Sequence, residues 1–264
     1  MNPPSSRLRL ISTDYDGTLI NSYVEGEIHP DFFTRLQIFR NKGPLTWVIN
    51  TGRTWENLQN DLIERNVPIW PDWVVLVERE ICIVDGRRIV SWLEWNHRCE
   101  LLHTQLFASV RPVWKKIEDF IRSETDAELI VDVGSPLGII ASSEEEADHI
   151  STYIVPLLEP WPNLVAVRNS VYFRFSHAFY HKGSCLQAIQ QELNISPRET
   201  FAVGDHLNDL PMLDRAYAAH IACPANAVEM VKAKVRQGGG YVARKNEAAG
   251  VIEAWDAFFP KPVG

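Results

Sequence analysis

The sequence predicts an α/β fold, a doubly wound parallel sheet interrupted once by an inserted α+β module. Three observations carry that expectation. Short apolar runs alternate with helical spacing from residue 8 to about residue 77, the same rhythm resumes after Lys182, and between them the spacing changes to paired strands separated by turns. The expected division is 1–78 and 179–264 for the core and 79–178 for the insertion.

Leu8, Leu10 and Ile11 read as a buried strand that ends at Asp14-Tyr15-Asp16-Gly17-Thr18. Phe32, Leu36 and Phe39 recur at helical spacing behind Pro30, and Lys42-Gly43-Pro44 stops that helix. Thr46–Asn50 is a second strand, followed by Thr51-Gly52-Arg53 and a helix to about Arg65; residues 73–77 form a third strand. Residues 81–84 and 89–92 flank Asp85-Gly86 as a hairpin. One helical stretch then runs to about Arg122, with strands at 128–133 and 137–141. Ser143 and Glu146 have the spacing of a capping box for a helix ending near Leu158, and 164–167 with 171–175 make a second hairpin-like pair. After Lys182 come a helix to about Leu193, a strand at 201–203, a helix near 209–215, a strand at 218–222, and helices from Asn226 and Glu247. Both crossing points of the insertion fall near residues expected at the active edge, so the module is expected to act as a lid.

Composition narrows the function classes. Hydrophobic residues at 45% and charged residues at 23% describe a soluble globular protein. There are 26 Lys and Arg against 34 Asp and Glu, a formal charge of −8, which disfavours nucleic acid and anionic membrane as partners. No apolar run reaches the roughly 18 residues of a membrane span, and no apolar signal core precedes Asp14, so a cytoplasmic location is expected. Cys82, Cys99, Cys185 and Cys223 form no CxxC pair, which argues against zinc or a redox dithiol. The nine tryptophans are dispersed and read as packing. The sequence sets no oligomeric state.

The chemistry concentrates at four stations. Asp14 and Asp16 sit at a strand's carboxyl end, where ligands bind in a doubly wound sheet. One carboxylate there can act as a nucleophile and the other can give and take a proton, although an acidic turn is the plain alternative. Thr51-Gly52 offers a hydroxyl and backbone N–H groups suited to a phosphate oxygen. Lys182 opens a helix, an unfavourable place for a cation unless something else uses it. Asp205, Asn208 and Asp209 bring two more carboxylates and an amide to the same edge. Four carboxylates in one cleft repel one another, and a hard divalent cation such as Mg²⁺ offsets that repulsion.

In this order the four segments resemble motifs one to four of the haloacid dehalogenase superfamily, a Rossmann-like core; insertion between the second and third motifs resembles the type IIB branch with its α+β cap. Val77-Glu78-Arg79-Glu80-Ile81 and Asn226-Ala227 are similar to segments of sucrose-phosphate and trehalose-phosphate phosphatases, with Glu78-Arg79 standing where Gly-Thr often precedes the acidic residue. The resemblance implies a Mg²⁺-dependent phosphatase of a small phosphorylated metabolite, most readily a sugar phosphate. It makes Asp14 the nucleophile that forms an aspartyl-phosphate and Asp16 the acid and base. Thr51, Gly52, Lys182 and Asn208 would hold the phosphoryl group. Asp14, the backbone carbonyl of Asp16, and Asp205 would ligate the metal, with Asp209 a direct ligand or a support behind one.

The motifs leave a hexose phosphomutase open, and also a phosphometabolite-binding regulator without turnover; dehalogenation is disfavoured because it needs neither Asp16 nor a metal. Glu80 and Arg174 are candidates for substrate specificity, against the plainer reading of solvated charges. His206 is expected to make a local surface contact, and Tyr15 to pack on the opposite side of the chain from its flanking aspartates.

Overall fold

A computed structural model describes residues 7–260. In chain order the elements are β1 (Leu10–Thr13), α1 (Pro30–Arg40), β2 (Thr46–Asn50), α2 (Trp55–Glu64), β3 (Trp73–Leu76), β4 (Glu80–Asp85) and β5 (Arg88–Ser91). There follow α3 (Leu93–Ser109), α4 (Arg111–Glu124), β6 (Glu128–Asp132), β7 (Ser135–Ile140), α5 (Glu144–Leu158), β8 (Leu164–Asn169) and β9 (Tyr172–His177). The chain ends with α6 (Lys182–Glu192), β10 (Thr200–Val203), β11 (His220–Cys223), α7 (Glu229–Gln237), β12 (Tyr241–Val242) and α8 (Glu247–Phe258). The described residues up to Trp92 and from His181 onward form one compact unit, and Leu93–Tyr180 forms another.

The first unit holds an eight-stranded sheet in the order β12-β11-β10-β1-β2-β3-β4-β5. It is parallel from β12 to β3. Every residue of β1, β3 and β10 is buried, as parallel strands covered on both faces require. That is why β3 reads as an uninterrupted apolar run, while β1 and β10 bury Ser12, Thr13 and Thr200 beside their apolar residues. β1 lies between β10 and β2, with Thr13 opposite both Val203 and Ile49. The chain therefore leaves β1 toward one side and returns on the other, which opens the ligand crevice at the carboxyl ends of these three strands. On one face, Phe32 of α1 contacts Trp47 of β2 and Trp255 of α8 at ring distances of 5.1 and 5.9 Å. Both tryptophans are wholly buried, so their role is packing.

Three elements differ from expectation. The hairpin at 81–92 belongs to this sheet: β4 pairs antiparallel with β3, placing Ile81 beside Val75 and Cys82 beside Val74. A tight turn at 77–79 returns the chain directly onto the open edge of β3, the nearest partner for its backbone, and buries the apolar start of β4. The helix expected at 209–215 is only a 3₁₀ turn at Leu207–Asp209, followed by turns that begin before Pro211, which has no N–H to continue it. The single helix expected up to Arg122 is two, α3 and α4, separated at Val110 with Pro112 in the first turn of α4.

The second unit is a four-stranded antiparallel sheet, β6-β7-β9-β8. Phe173 and Phe175 of β9 join Ile117 and Ile121 of α4 and Ile150 and Ile154 of α5 in its core. Ser143 accepts the Glu146 N–H at 3.1 Å, the helix start that the Ser-x-x-Glu spacing predicts.

Candidate active site

The site is built at the carboxyl ends of β1, β2 and β10. Asp14 directly follows β1, and its N–H donates to Val203 O at 2.9 Å, so the parallel ladder itself fixes where the carboxylate starts. Lys182, the first residue of α6, donates from Nζ to Asp14 Oδ1 and to Asp209 Oδ1, each at 2.6 Å. The amides at the α6 N-terminus are satisfied by His181, whose Nδ1 accepts from Gly183 and Ser184 N–H at 3.1 Å. Burial lowers the His181 pKa, which keeps that ring a neutral acceptor. Asn50, at the end of β2, donates to Lys182 O at 2.9 Å, so the lysine is held through its backbone as well.

Asp205 lies two residues past β10, and its Oδ1 accepts from Thr18 Oγ1 at 2.8 Å. Asp209 closes the same loop: its Oδ2 accepts the N–H groups of Asp205 and His206, both at 2.9 Å. His206 and Asp209 thus cap each other, the His206 side chain accepting from the Asp209 backbone while its own N–H goes to Asp209. Gly17, at φ 74°, lies so close to the Asp205 carboxylate that a Cβ there would collide with it. Glycine is required at that position for conformation and for space.

Asp14, Asp205 and Asp209 each offer an oxygen within 4.8 Å of the others, and all three are buried. Burial, then Asp209, raises the Asp14 carboxyl well above its usual range, against the opposing effect of Lys182. The same two causes, in the same order, push Asp205 up to about 7 from 3.8. Burial alone would favour a neutral Lys182, but Asp14, Asp209 and Glu78 outweigh it and raise its pKa. Three carboxylates around one ammonium leave negative charge in excess, and every donor is a hard oxygen. That donor set fits Mg²⁺.

Asp16 points elsewhere. Arg53 holds it in a two-pronged pair, Nε to Oδ2 at 2.8 Å and Nη2 to Oδ1 at 2.6 Å, and Ser22 donates to Oδ1 at 2.5 Å. Arg53 also lies 5.1 Å from the ring centre of Tyr15, which is wholly buried and donates its hydroxyl to Asp61 at 2.5 Å. Tyr15 therefore packs as expected and also props the arginine. Thr51 and Gly52 form the turn after β2, with the Thr51 hydroxyl accepting the Arg53 N–H at 3.2 Å. Asn208 donates from Nδ2 to Glu78 Oε1 at 2.8 Å.

One unit thus brings together Asp14, Asp16, Thr51, Gly52, Lys182, Asp205, Asn208 and Asp209. Glu80 is the first residue of β4, opposite Leu76. Arg174 belongs to the other unit, where it pairs with Asp132, Nε to Oδ2 at 2.7 Å and Nη2 to Oδ1 at 3.1 Å. Sequence reasoning did not single out Thr18, Arg53 or Glu78. Thr18 and Arg53 stood inside quoted motifs as turn residues, and Glu78 was signalled only by its departure from Gly-Thr.

A family model described as haloacid dehalogenase-like hydrolase matches residues 111–254, more than half of the chain. The chain belongs to that family. It is 30% identical over 138 residues to a phosphoglycolate phosphatase of Haloarcula marismortui, covering 46% of this chain. The matched region spans 60% of that curated relative's length. Among solved structures, this family member is similar to the sucrose-phosphatase of Synechocystis sp. PCC6803 in complex with sucrose and phosphate, with a TM-score of 0.71 at 18% identity over 96% of this chain and 98% of that one. It is also similar to a phosphatase of the haloalkanoate enzyme superfamily from Bacteroides thetaiotaomicron, with a TM-score of 0.64 at 20% identity over 99% of each chain. These likenesses show the fold.

Proposed function

We propose that this hydrolase is a Mg²⁺-dependent phosphatase of a small phosphorylated metabolite, a sugar phosphate by preference, working through an aspartyl-phosphate on Asp14. The observation that carries the reading is the Lys182 ammonium, buried and shared at 2.6 Å between Asp14 and Asp209 beside the Thr51-Gly52 turn. Such a cation next to a carboxylate at the sheet edge suits an anionic electrophile.

An Asp14 oxygen attacks phosphorus, the bond to the leaving oxygen breaks, and Asp16 gives that oxygen its proton. Water then attacks the phosphorus of the aspartyl-phosphate, Asp16 takes a proton from it, and the Asp14 carboxylate is restored with release of phosphate. Thr51 and Gly52 orient phosphoryl oxygens, and Lys182 neutralises charge on nucleophile and phosphate. Asp14, Asp205 and the Asp16 carbonyl would hold Mg²⁺, which when bound supplies charge neutralisation for the phosphoryl oxygens. Asp209 stands behind them, since both its oxygens are engaged by Lys182 and two amides. The names of the relatives, phosphoglycolate phosphatase and sucrose-phosphatase, support the reaction class. In this reading the unit of the eight-stranded sheet, the described residues up to Trp92 and from His181 onward, carries the chemistry, and the inserted module, with Arg174, selects the leaving group.

The test is hydrolysis of p-nitrophenyl phosphate followed by a panel of sugar phosphates. Mg²⁺-dependent turnover that disappears in Asp14→Asn is expected; full turnover in that variant, or none in the parent protein, sinks the reading.

A further inference from the structure

Glu78 is a site carboxylate that the proposed reaction leaves without a role. It is 8% exposed, and with Val77 it occupies the left-handed region, at φ 67° and 44°, where non-glycine residues are strained. The turn is held there by its own hydrogen bonds, Val77 N–H to Arg53 O and Glu78 N–H to Thr51 O, each at 3.0 Å. Those bonds tie it to the Thr51-Gly52-Arg53 turn and deliver its side chain to the phosphate cradle. Glu78 Oε1 accepts from Asn208 Nδ2 at 2.8 Å and lies 3.2 Å from the position of a Cβ on Gly52. Among the described residues, Asn208 Oδ1 is buried without a partner, and the side-chain amide's hydrogen bond is the one to Glu78. Two of the groups expected to receive phosphoryl oxygens are therefore already against an anion of the protein.

Building on the phosphatase reading, we propose that Glu78 is an internal competitor for phosphate: its carboxylate occupies one of the two Asn208 N–H donors and sets a like charge beside Gly52, weakening retention of the phosphate dianion. A phosphoryl oxygen is left with the second Asn208 N–H and must bind it with the Glu78 carboxylate already on the same nitrogen. Substrate offsets this with contacts through its leaving group, whereas inorganic phosphate has none, so the effect falls hardest on product. Glu78 acts on phosphoryl affinity and not on the choice of leaving group.

The experiment measures inorganic phosphate as a competitive inhibitor of p-nitrophenyl phosphate hydrolysis, and directly by calorimetry, in the parent protein, Glu78→Gln and Glu78→Gly. Glutamine removes the charge but keeps an acceptor for Asn208; glycine also frees the amide and suits the left-handed backbone, so it keeps the test usable if glutamine does not fold. The inhibition constant is expected to fall in the order parent, glutamine, glycine, by roughly tenfold or more for glycine, the size of one hydrogen bond to a charged group. KM should fall in parallel for substrates with different leaving groups. Unchanged or weaker phosphate binding in the variants, with hydrolysis intact in the parent, overturns the role of Glu78 alone. No phosphate binding and no hydrolysis in any of the three overturns it together with the phosphatase reading.

Discussion

Lys182 and Asp14, 168 positions apart in sequence, meet as a buried ion pair at 2.6 Å, and Asp209 receives the same ammonium at 2.6 Å. Removing the lysine leaves two buried carboxylates facing each other. Lys182→Met should abolish measurable hydrolysis, a loss of about 10²–10³-fold or more. It should also cost about 3–5 kcal/mol of metal-free stability in urea melts, the penalty for breaking a buried pair. Arginine at this position keeps charge but not the fit of a compact ammonium, so no rescue is expected.

Arg53 fixes the Asp16 carboxylate with two N–H donors. Arg53→Ala should lower kcat by about tenfold to a hundredfold on alkyl phosphates, whose leaving oxygen depends on a positioned proton donor. The loss should be much smaller on p-nitrophenyl phosphate, whose leaving group needs little protonation. Equal losses on both substrates would show that Arg53 does not act through Asp16.

The pH dependence of stability has a defined sign. Asp205, raised by burial and then by Asp209 to about 7 from 3.8, keeps a proton in the folded state that the unfolded chain has already released. Its contribution to metal-free stability therefore falls as pH rises between about 4 and 7. His177, His181 and His220 are lowered by burial and act in the opposite sense, so the comparison is with Asp205→Asn. Thermal melts in chelator should show the parent losing stability relative to that variant over this window. Added Mg²⁺ should recover it and bind more tightly at the higher pH. Parallel curves for the two proteins would contradict the assignment.

Gly17 combines a φ of 74° with direct approach to the Asp205 carboxylate. Gly17→Ala should destabilise the protein by about 1–3 kcal/mol through backbone strain, read in a urea melt. It should also weaken Mg²⁺ binding, measured by calorimetry, because the added methyl displaces Asp205. Retained metal affinity would place the metal away from this carboxylate.

In the second unit, Arg174 and Asp132 are both nearly buried in their ion pair. Arg174→Ala should cost about 3–5 kcal/mol in a chemical melt, and Asp132→Ala in the same chain should return part of it, because the charge left behind is the larger penalty. If Arg174 also meets substrate, turnover of sugar phosphates changes while that of p-nitrophenyl phosphate is preserved. An unchanged ratio between the two removes it from recognition.

The parallel core was legible because buried parallel strands leave short apolar runs, as in residues 73–76 and 201–203, and because turns follow them directly. The hairpin at 80–91 was legible as a hairpin but not as part of the larger sheet, since pairing partners depend on which edge is open when the chain turns. Residues 209–215 looked helical because their spacing fits a helix or a run of turns; the 3₁₀ turn at 207–209, closed by the two amides that Asp209 takes, decided it. Arg53 and Glu78 gave no periodic signal, because their roles come from neighbours distant in sequence.

The sequence by itself determined the fold class, the four chemical stations and the residue types each station needed, because those follow from local periodicity, turn chemistry and charge. Only the tertiary structure decided how the carboxylates divide their work. Asp14 and Asp209 share Lys182, Asp205 takes Thr18, Asp16 is bound by Arg53, and Glu78 is set against Asn208. The physical reason is that burial and pairing, which fix the energy of a charge, are set by the strand order that brings β1, β2 and β10 side by side, and no stretch of sequence contains that order.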